Sequence, residues 1–502
     1  MFTEVYKSNK KFWEKENISS PDKGILLYEN IDDTPQLCYG ISKIALCIAK
    51  AMGLRPAVLM PWRNGEMTAS MCQMQFQIKN RLPIILVCNL IPVLYILLFL
   101  NKERLLSFKV GKDEIGTYIY DSILRRMKRK TVERLSLRDR MFICLEFCYY
   151  KYFKYLIKKY PIKVMVLGDS VYRYGLLYEI CKNNGIVCFS PINLNTVFIR
   201  RFESEEDFRS NYLSKELLRE LCENNDYRES VDEYYKDRYA GNIQQHDVLT
   251  AYANKTVRNS DEFIKRYKLD PQKKTVIIMS HVFADAPHVY TDALYNDYWE
   301  WFVTSFRCLQ SNKNINVLVK EHPTAHLYGQ KGLINEFLKK QGLECLAIDD
   351  DESTLSILNN VDAVVTCGGT IGVEISYFGK YVVLASKPPY SGLGFSIDFS
   401  EREKYECYLR TEIQNIEKLT EEQRLESIKA AYAMFCRSNN WNDKLELGGE
   451  IIYMGRNYNN EKFSQNIIAY NKIPLCEQNI YKLIERFVKS NHRAMFSSQE
   501  NR

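Results

Sequence analysis

The chain has 502 residues, more than one hydrophobic core organises, so two α/β domains and a tail are expected. Hydrophobic residues make up 46% and charged residues 26%, which is globular composition and excludes a mostly disordered chain. The formal net charge of +7 is small for this length, and it excludes the dense basic surface of a nucleic-acid binder.

The cysteines indicate the compartment. The 15 Cys are scattered without C-x-x-C spacing and lie mostly in apolar runs such as Ala45–Ile48. This pattern is typical of reduced, buried thiols in a reducing compartment. Because Met1–Glu4 is too polar to begin a signal peptide, we expect a cytoplasmic protein.

The N-terminal part alternates between strand and helix patterns. Residues 24–29 read as an apolar strand, a helical pattern follows and ends at Gly53, and residues 57–60 read as the next strand. The alternation resumes with a strand at 163–168, a helix at 172–182 and a strand at 186–189. Such alternation predicts a parallel sheet, here in an N-terminal α/β domain of residues 1–200.

An insertion at about 61–160 interrupts this domain. Its segment Leu82–Leu100 carries no charge and is long enough to span hydrocarbon, although two prolines and an asparagine interrupt it. It is either a buried helix plus strand or a membrane-inserted or in-plane segment. The basic run Arg125–Lys130 is either a solvated helix face or a contact for anionic lipid. We expect peripheral membrane association, with the apolar segment largely packed within the domain and the basic run on the lipid.

The second half of the chain predicts a second α/β domain. Residues 201–270 are charged and helical and read as a connector, and residues 401–502 as a helical region and tail. Between them, residues 271–400 alternate regularly. The expected elements are strands at 274–279, 315–319, near Leu346, at 363–366 and at 381–384, and helices at 298–310, 333–340, 353–359 and 370–378.

Polar residues follow three of these strands. The segments are Met279–His288, Val319–Pro323 and Thr366–Glu374. Because the carboxyl ends of parallel strands open on the same edge of a sheet, we expect the three loops to converge. Taken singly, each segment also fits an ordinary tight turn or a solvated helix start, so it is their succession that predicts a site.

Each loop offers groups suited to a nucleotide. Gly368, Gly369 and Thr370 at a helix start allow close approach of an anion to backbone N–H groups. Lys320 and His322 can neutralise phosphate, and Pro323 stiffens the loop that holds the imidazole. Glu374, one turn into the helix, can accept both hydroxyls of a ribose.

The candidates for the catalytic base are Asp169, Asp285 and His281. Asp169 ends a strand of the N-terminal domain and fits equally well as the N-cap of the next helix. Asp285 lies on the loop that begins with His281, and it fits equally well as an ordinary polar residue of a loop. The acidic run Asp349–Asp351 reads as a helix cap, and His and Cys lack zinc spacing, so we expect neither metal nor cofactor.

These residues also resemble known enzymes. Lys320–Pro323 (KEHP) looks like the HP motif of capsular-polysaccharide and polysialic-acid glycosyltransferases, which are related to Kdo-transferases, and of CDP-glycerol glycerophosphotransferases. Cys367–Lys380 is similar to the Gly/Ser-rich turn and E-A-x-x-x-G helix of nucleotide-sugar GT-B enzymes, with Gly-Gly-Thr where the HP-motif enzymes often carry a Ser pair. His281–His288 and Gly111–Asp121 resemble segments of surface-carbohydrate biosynthesis proteins.

The resemblance implies an α/β fold of two Rossmann-like domains facing across a cleft (GT-B type). The nucleotide would be bound by the C-terminal domain and the acceptor by the N-terminal one. The implied function is metal-independent transfer of a sugar, with a CMP-sugar among the candidate donors, to a glycan or lipid-linked glycan of a bacterial surface polysaccharide. The alternatives are a glycerol- or polyol-phosphate transferase with a CDP-linked donor, and a non-catalytic scaffold of a polysaccharide assembly complex.

Overall fold

The computed structural model describes most of the chain. The described residues are 3–16, 18, 23–29, 35–59, 77–78, 89–168, 170–193, 198–203, 207, 213–223, 226–242, 252, 254–289, 292–436 and 460–495. The chain divides into two compact units. The first comprises Met1–Ile119, Leu135–Ser210 and Arg437–Arg502, and the second comprises Tyr120–Arg134 and Asn211–Cys436.

This division differs from the expected domains in three places. Residues 120–134, part of the expected insertion, belong to the second unit. Residues 437–502, the larger part of the expected C-terminal tail, return to the first unit, and most of the expected connector belongs to the second. These differences arise because a domain is defined by contacts between segments distant in sequence, which local patterns do not encode.

The elements follow the alternation expected from the sequence. The strands are β1 (Ile25–Glu29), β2 (Arg55–Leu59), β3 (Gln77–Ile78), β4 (Lys109–Val110), β5 (Asp113–Glu114), β6 (Ile162–Val166), β7 (Val187–Asn193), β8 (Phe198–Phe202), β9 (Lys274–Met279), β10 (Ile315–Lys320), β11 (Ala363–Thr366), β12 (Tyr381–Leu384), β13 (Ser396–Ile397) and β14 (Ala494–Met495). The helices are α1 (Thr3–Glu16), α2 (Pro35–Met52), α3 (Leu90–Phe99), α4 (Lys102–Leu106), α5 (Gly116–Met127), α6 (Leu137–Lys159), α7 (Tyr172–Asn183), α8 (Lys215–Cys222), α9 (Tyr227–Tyr239), α10 (Ser260–Tyr267), α11 (Tyr298–Ser311), α12 (Leu333–Lys339), α13 (Thr354–Asn360), α14 (Ile371–Tyr377), α15 (Arg402–Thr411), α16 (Glu421–Ala431), α17 (Asn460–Tyr470) and α18 (Asn479–Lys489).

The first unit is built on a sheet of order β14-β8-β7-β6-β1-β2-β3. Its strands from β7 to β3 pair in parallel, whereas β8 pairs antiparallel with both β7 and β14. All five residues of β1 are buried, as a strand covered on both faces requires. Helix α2 packs against α18, so that the C-terminal segment completes the core of this unit.

The second unit contains a fully parallel sheet of order β10-β9-β11-β12-β13. Its aromatic core includes Trp301 and Phe302 of α11, both fully buried against the sheet. The expected strand near Leu346 is instead a 3₁₀ turn, Glu344–Leu346, followed by a single bridge between Ala347 and Val319. One bridge ties the loop to β10 without extending the sheet. The predicted α/β fold of two domains, each built on a sheet, is confirmed.

The apolar segment Leu82–Leu100 does not pack as expected in its described part. Helix α3 is apolar throughout, yet only Ile96 among its residues is buried. Residues 82–88 lie outside the described residues. None of the described helices combines the length and the apolar character that crossing a bilayer requires.

The basic run Arg125–Lys130 is partly used inside the second unit. The Arg125 guanidinium lies 4.1 Å from the ring centroid of Tyr328, and the Lys130 ammonium lies 3.9 Å from that of Trp299. Cations held over aromatic faces contribute to packing and are less available to an external surface. The lipid contact expected of this run stays a prediction.

Gly116, at the start of α5, allows a close approach that no other residue permits. The backbone N–H groups of Ile115 and Gly116 both donate to the Phe108 carbonyl, at 3.2 and 3.0 Å. A Cβ at Gly116 would lie 1.9 Å from the Leu105 carbonyl oxygen. Because that contact is with backbone, side-chain movement cannot relieve it.

We predict that Gly116→Ala lowers the free energy of unfolding of the first unit by about 3 kcal/mol, the usual scale of a buried steric clash. Thermal unfolding followed by circular dichroism measures the change. The control is Thr117→Ala, at the next and partly exposed position, which we expect to leave the melting temperature nearly unchanged. Equal melting temperatures for the two variants would contradict the close approach.

Candidate functional site

The three predicted loops line one cavity of about 510 Å³ in the second unit. They follow β9, β10 and β11, adjacent parallel strands whose carboxyl ends meet at one edge of the sheet. The strand order reverses around β9, where sheets of this kind bind ligands. The volume is that of a small-molecule site. Among the lining residues are Lys320, His322, Pro323, Gly369, Thr370 and Glu374, all predicted from the sequence.

His281, at the end of β9, holds the glycine turn. Its Nε2 accepts the backbone N–H of Gly368 at 3.1 Å and is 3.2 Å from the Thr366 hydroxyl. Its ring stacks on Tyr298 with centroids 4.2 Å apart. Because Nε2 accepts an N–H, the ring proton lies on Nδ1 and the imidazole is neutral. Burial, with the nearby His322, lowers the pKa of His281 from 6.5 to about 3.

This geometry differs from the expectation that His281 is a catalytic base. A base needs a free lone pair to take a proton from substrate, and the Nε2 lone pair is already used by Gly368. His281 therefore acts on the shape of the turn. Sequence reasoning counted the imidazole as reactive because the contact joins loops that are far apart along the chain.

His322 is oriented by its own loop. Its backbone N–H donates to the Ser280 hydroxyl at 3.0 Å, and its Nδ1 accepts the backbone N–H of Thr324 at 3.3 Å. The Thr324 hydroxyl lies 2.9 Å from the same nitrogen. With Nδ1 accepting, the neutral ring carries its proton on Nε2. An Nε2–H group is a donor suited to a phosphate oxygen.

Lys320, the last residue of β10, is more deeply placed than expected. It is 8% exposed, and its ammonium donates to the carbonyl oxygens of Asp349 and Glu352 at 3.3 and 3.1 Å. Burial lowers the pKa of Lys320 to about 8. Two carbonyl partners leave a positive charge at the cavity wall, because carbonyls orient the ammonium without neutralising it.

The Gly-Gly-Thr turn is fixed from the opposite side by Tyr390. The Tyr390 hydroxyl donates to the Gly369 carbonyl at 2.5 Å. A Cβ at Gly372 would lie 2.3 Å from that hydroxyl oxygen, so Gly372 provides the space that Tyr390 needs. Together with His281, Tyr390 sets the conformation of the backbone that enters α14. Nothing in the local sequence marks Tyr390, which lies about twenty residues further along the chain.

Glu374 is not open to a ribose in this structure. It is 1% exposed, and its two oxygens accept from Arg238 Nη2 at 2.9 Å and from the Tyr252 hydroxyl at 2.5 Å. Arg238 comes from α9, and it lines the cavity together with Tyr252. The expected free carboxylate is thus one half of a buried ion pair. Sequence reasoning missed Arg238 and Tyr252 because they lie in the segment that reads as a charged connector.

Among the described residues, Asp285 is not one of those that line the cavity. Asp285 accepts a hydrogen bond from the Tyr328 hydroxyl at 3.2 Å, and its carboxylate is 3.7 Å from Arg125. Its side chain is 45% exposed. Asp169, the candidate of the first unit, lies outside the described residues.

A carboxylate–imidazole pair that the sequence did not predict lies on the same loop as Asp285. His288 Nδ1 is 2.6 Å from Asp121 Oδ1, and its backbone N–H donates to Asp121 Oδ2 at 3.2 Å. Burial alone would lower the pKa of His288, but the Asp121 carboxylate outweighs it and raises the pKa. The pair joins residues 120–134 to the loop after β9 within the second unit.

The acidic run Asp349–Asp351 forms ion pairs and hydrogen bonds. Asp349 accepts a bidentate pair from Arg266 at 2.7 Å, and Asp350 lies 3.0 Å from Lys331. The N-cap of the following helix is Ser353. Within the described part of the chain, no three His, Cys, Asp or Glu side chains come together in an arrangement that could hold a metal ion.

The buried, neutral His281 predicts a pH dependence of stability. Because folding lowers its pKa from 6.5 to about 3, the unfolded chain takes up the proton first as the pH falls. The contribution of the neutral ring to the free energy of unfolding is complete above pH 6.5 and is lost as the pH drops towards 3. Relative to His281→Gln, the free energy of unfolding of the wild type should fall by up to about 1.4 kcal/mol per pH unit in this window.

Urea unfolding between about pH 7 and about pH 4 measures this difference, since each pH gives one free energy per variant. Gln keeps a neutral acceptor that can bind the Gly368 N–H but does not titrate. The control is His492→Gln at an exposed position of the first unit. Parallel stability profiles for wild type and His281→Gln would show that His281 titrates normally.

The second unit is similar to proteins that are already known. Residues 202–433 match the family described as "Capsule polysaccharide biosynthesis protein". The chain is similar to two capsule polysaccharide modification proteins LipA of Neisseria meningitidis. It is 28% identical to that of serogroup A over 127 residues, and 29% identical to that of serogroup B over 156 residues. These matches cover 25% and 31% of this chain but only 17% and 21% of the relatives, about a fifth of their length.

Among solved structures, the chain is similar to Thermosulfurimonas dismutans KpsC, a beta Kdo 2,4 transferase, with 14% identity and a TM-score of 0.32. The similarity covers 53% of this chain and 78% of that one. The family match covers most of the second unit, including the loops that line the cavity. The family match therefore applies to residues 202–433, a little under half of the 502-residue chain.

Proposed function

We propose that the protein is a glycosyltransferase of GT-B type that moves a sugar from a nucleotide-activated donor to a growing surface polysaccharide. The observation that carries this proposal is the convergence of Lys320, His322 and Thr370 on one cavity in the family-matched unit. A cation, an N–H donor and a glycine turn at the carboxyl edge of a parallel sheet suit the phosphate of a nucleotide. The acceptor is a glycan or lipid-linked glycan, which sets the reaction at the membrane surface.

The chemistry follows from the charge that develops on the leaving group. An acceptor hydroxyl attacks the anomeric carbon, the bond from that carbon to the phosphate oxygen breaks, and the hydroxyl proton passes to a base. The His322 Nε2–H and the Lys320 ammonium would stabilise the negative charge on the departing phosphate. Their orientation by Thr324 and by two backbone carbonyls is preorganisation, since neither group must reorient during the reaction.

The candidates for the catalytic base are the carboxylates of Asp285 and Asp169. Asp285 has an exposed carboxylate on the loop after β9, and Asp169 belongs to the first unit, which we assign to the acceptor. For the donor, a cytidine nucleotide such as a CMP-sugar is the first choice to test. Thermal-shift measurements with CMP, CDP, UDP and GDP identify the base, because a ligand that binds only the folded state raises the melting temperature.

Replacing His322 tests the phosphate contact. We predict that His322→Ala lowers the turnover of donor sugar by a factor corresponding to about 2–4 kcal/mol, the scale of one lost oxyanion donor. The assay follows release of the nucleotide from the donor by chromatography. His492→Ala, at an exposed position of the first unit, is the matched control. Wild-type turnover in a folded His322→Ala protein would remove His322 from the mechanism, and an absence of turnover in the wild type with every donor would reject the proposal.

A second prediction concerns metal. Because the Lys320 ammonium supplies positive charge and the His322 Nε2–H a hydrogen bond where a divalent ion would otherwise act, we expect transfer to continue in EDTA. The measurement compares initial rates with EDTA alone and after Mg²⁺ or Mn²⁺ is added back. A rate that vanishes in EDTA and returns with either ion would contradict metal independence, and Asp349–Asp351 would be the first ligands to mutate.

A further inference from the structure

Helix α3 exposes an apolar surface of unusual density for a ten-residue helix. Six large hydrophobic side chains are between 43% and 82% exposed: Leu90, Ile91, Leu94, Tyr95, Leu98 and Phe99. The sequence of α3, LIPVLYILLF, contains no charged residue, and its one hydroxyl is that of Tyr95. A helix of a water-soluble surface normally shows a polar face, so α3 lacks the face that would contact water.

The backbone carbonyls at the end of α3 have hydrogen-bond partners within the protein. In its last turn, Arg140 Nη1 donates to the carbonyls of Ile96 and Leu97 at 3.2 Å each, and Arg104 Nη1 donates to that of Phe99 at 3.1 Å. Carbonyls at the end of a helix have no partner within the helix and are usually hydrated. Here two guanidinium groups bind them, which matters most where water is scarce.

A neighbouring helix extends the apolar surface. Helix α6 runs antiparallel to α3, since Arg140 contacts its last turn and Cys144 lies 3.8 Å from the Val93 carbonyl. Within one turn of Arg140, Leu137 and Met141 are 68% and 61% exposed. These eight side chains, six of α3 and two of α6, form what we name the apolar patch.

The charges beside the patch are mainly of one sign. The flanking segments Asn101–Ser107 and Ser136–Met141 contain the basic residues Lys102, Arg104, Arg138 and Arg140. Their acidic residues are Glu103 and Asp139, and Asp139 is buried in the capping box of α6. A cationic border around an apolar surface complements anionic lipid headgroups around acyl chains. A protein partner would be expected to meet polar groups within the patch as well.

We propose that the apolar patch of α3 and α6 inserts into one leaflet of an anionic bilayer and holds the protein at the membrane surface. The helix is about 15 Å long, half of the ~30 Å hydrocarbon thickness, so it lies in the interface and does not cross it. The acyl chains contact the α3 side chains, and the flanking arginines contact lipid phosphates. The anchor is thus an apolar helix, where the sequence pointed to the basic run. The proposal is independent of the donor and of transferase activity.

Vesicle flotation with the full chain tests the anchor. The probes are phosphatidylcholine vesicles with and without phosphatidylglycerol, at low and high salt. The wild type should float with the anionic vesicles and retain part of its binding at high salt, because apolar insertion is not screened. The double variant Ile91→Glu/Leu98→Glu should bind at least about tenfold more weakly, since two inserted side chains become charged.

The matched control is Val257→Glu, an equally exposed apolar residue of the second unit, at 62%. It should float like the wild type. Arg104→Gln/Arg138→Gln should reduce the difference between anionic and neutral vesicles while leaving salt-resistant binding. Wild-type flotation by the double Glu variant, or no flotation of the wild type, would overturn the proposal. The proposal would also be overturned if light scattering showed that the wild type is a dimer and the double Glu variant a monomer, while neither protein bound vesicles.

Discussion

The hydrogen bond from the Gly368 backbone N–H to His281 Nε2 is the contact on which the arrangement of the cavity depends. It joins the end of β9 to the turn after β11, and Tyr390 fixes the same turn through the Gly369 carbonyl. An acceptor nitrogen is required, so the imidazole must stay neutral, and burial ensures this by disfavouring the charged form. His281, which the sequence suggests is reactive, therefore fixes the backbone geometry of the turn after β11.

A buried ion pair forms another part of the cavity wall. The Glu374 carboxylate is removed from water, and such a group is tolerated only when its oxygens are hydrogen-bonded and its charge is matched. Arg238 and Tyr252 satisfy both conditions. Arg238 ties α9 to α14, which is consistent with most of the expected connector being part of the second unit. The cavity is therefore bounded by residues from both halves of that unit's sequence.

The two units present surfaces with opposite chemistry. The cavity of the second unit collects cationic and hydrogen-bonding groups at the edge of a parallel sheet, as a phosphate-bearing ligand requires. The first unit exposes the apolar patch of α3 and α6 with arginines at its border. The transfer to a lipid-linked glycan that we propose would use both kinds of surface, one for the activated sugar and one for the membrane that carries the acceptor.

The sequence by itself determined the alternation of strands and helices, because burial on both faces of a parallel sheet demands continuous apolar runs such as Val276–Ile278. It also determined that the loops after β9, β10 and β11 would converge, since parallel strands share a carboxyl edge. Those loops supply Lys320, His322 and Thr370 to one cavity.

Only the tertiary structure decided which polar groups are free to act. The His281 Nε2 binds the Gly368 N–H, and the Glu374 carboxylate binds Arg238 and Tyr252. In both cases the partners are far away in the sequence. The tertiary structure also assigned residues 120–134 and 437–502 to their units and left α3 exposed. Local patterns report periodicity and turn chemistry, whereas burial and pairing depend on segments brought together from distant parts of the chain, and these long-range contacts are what one sequence does not specify.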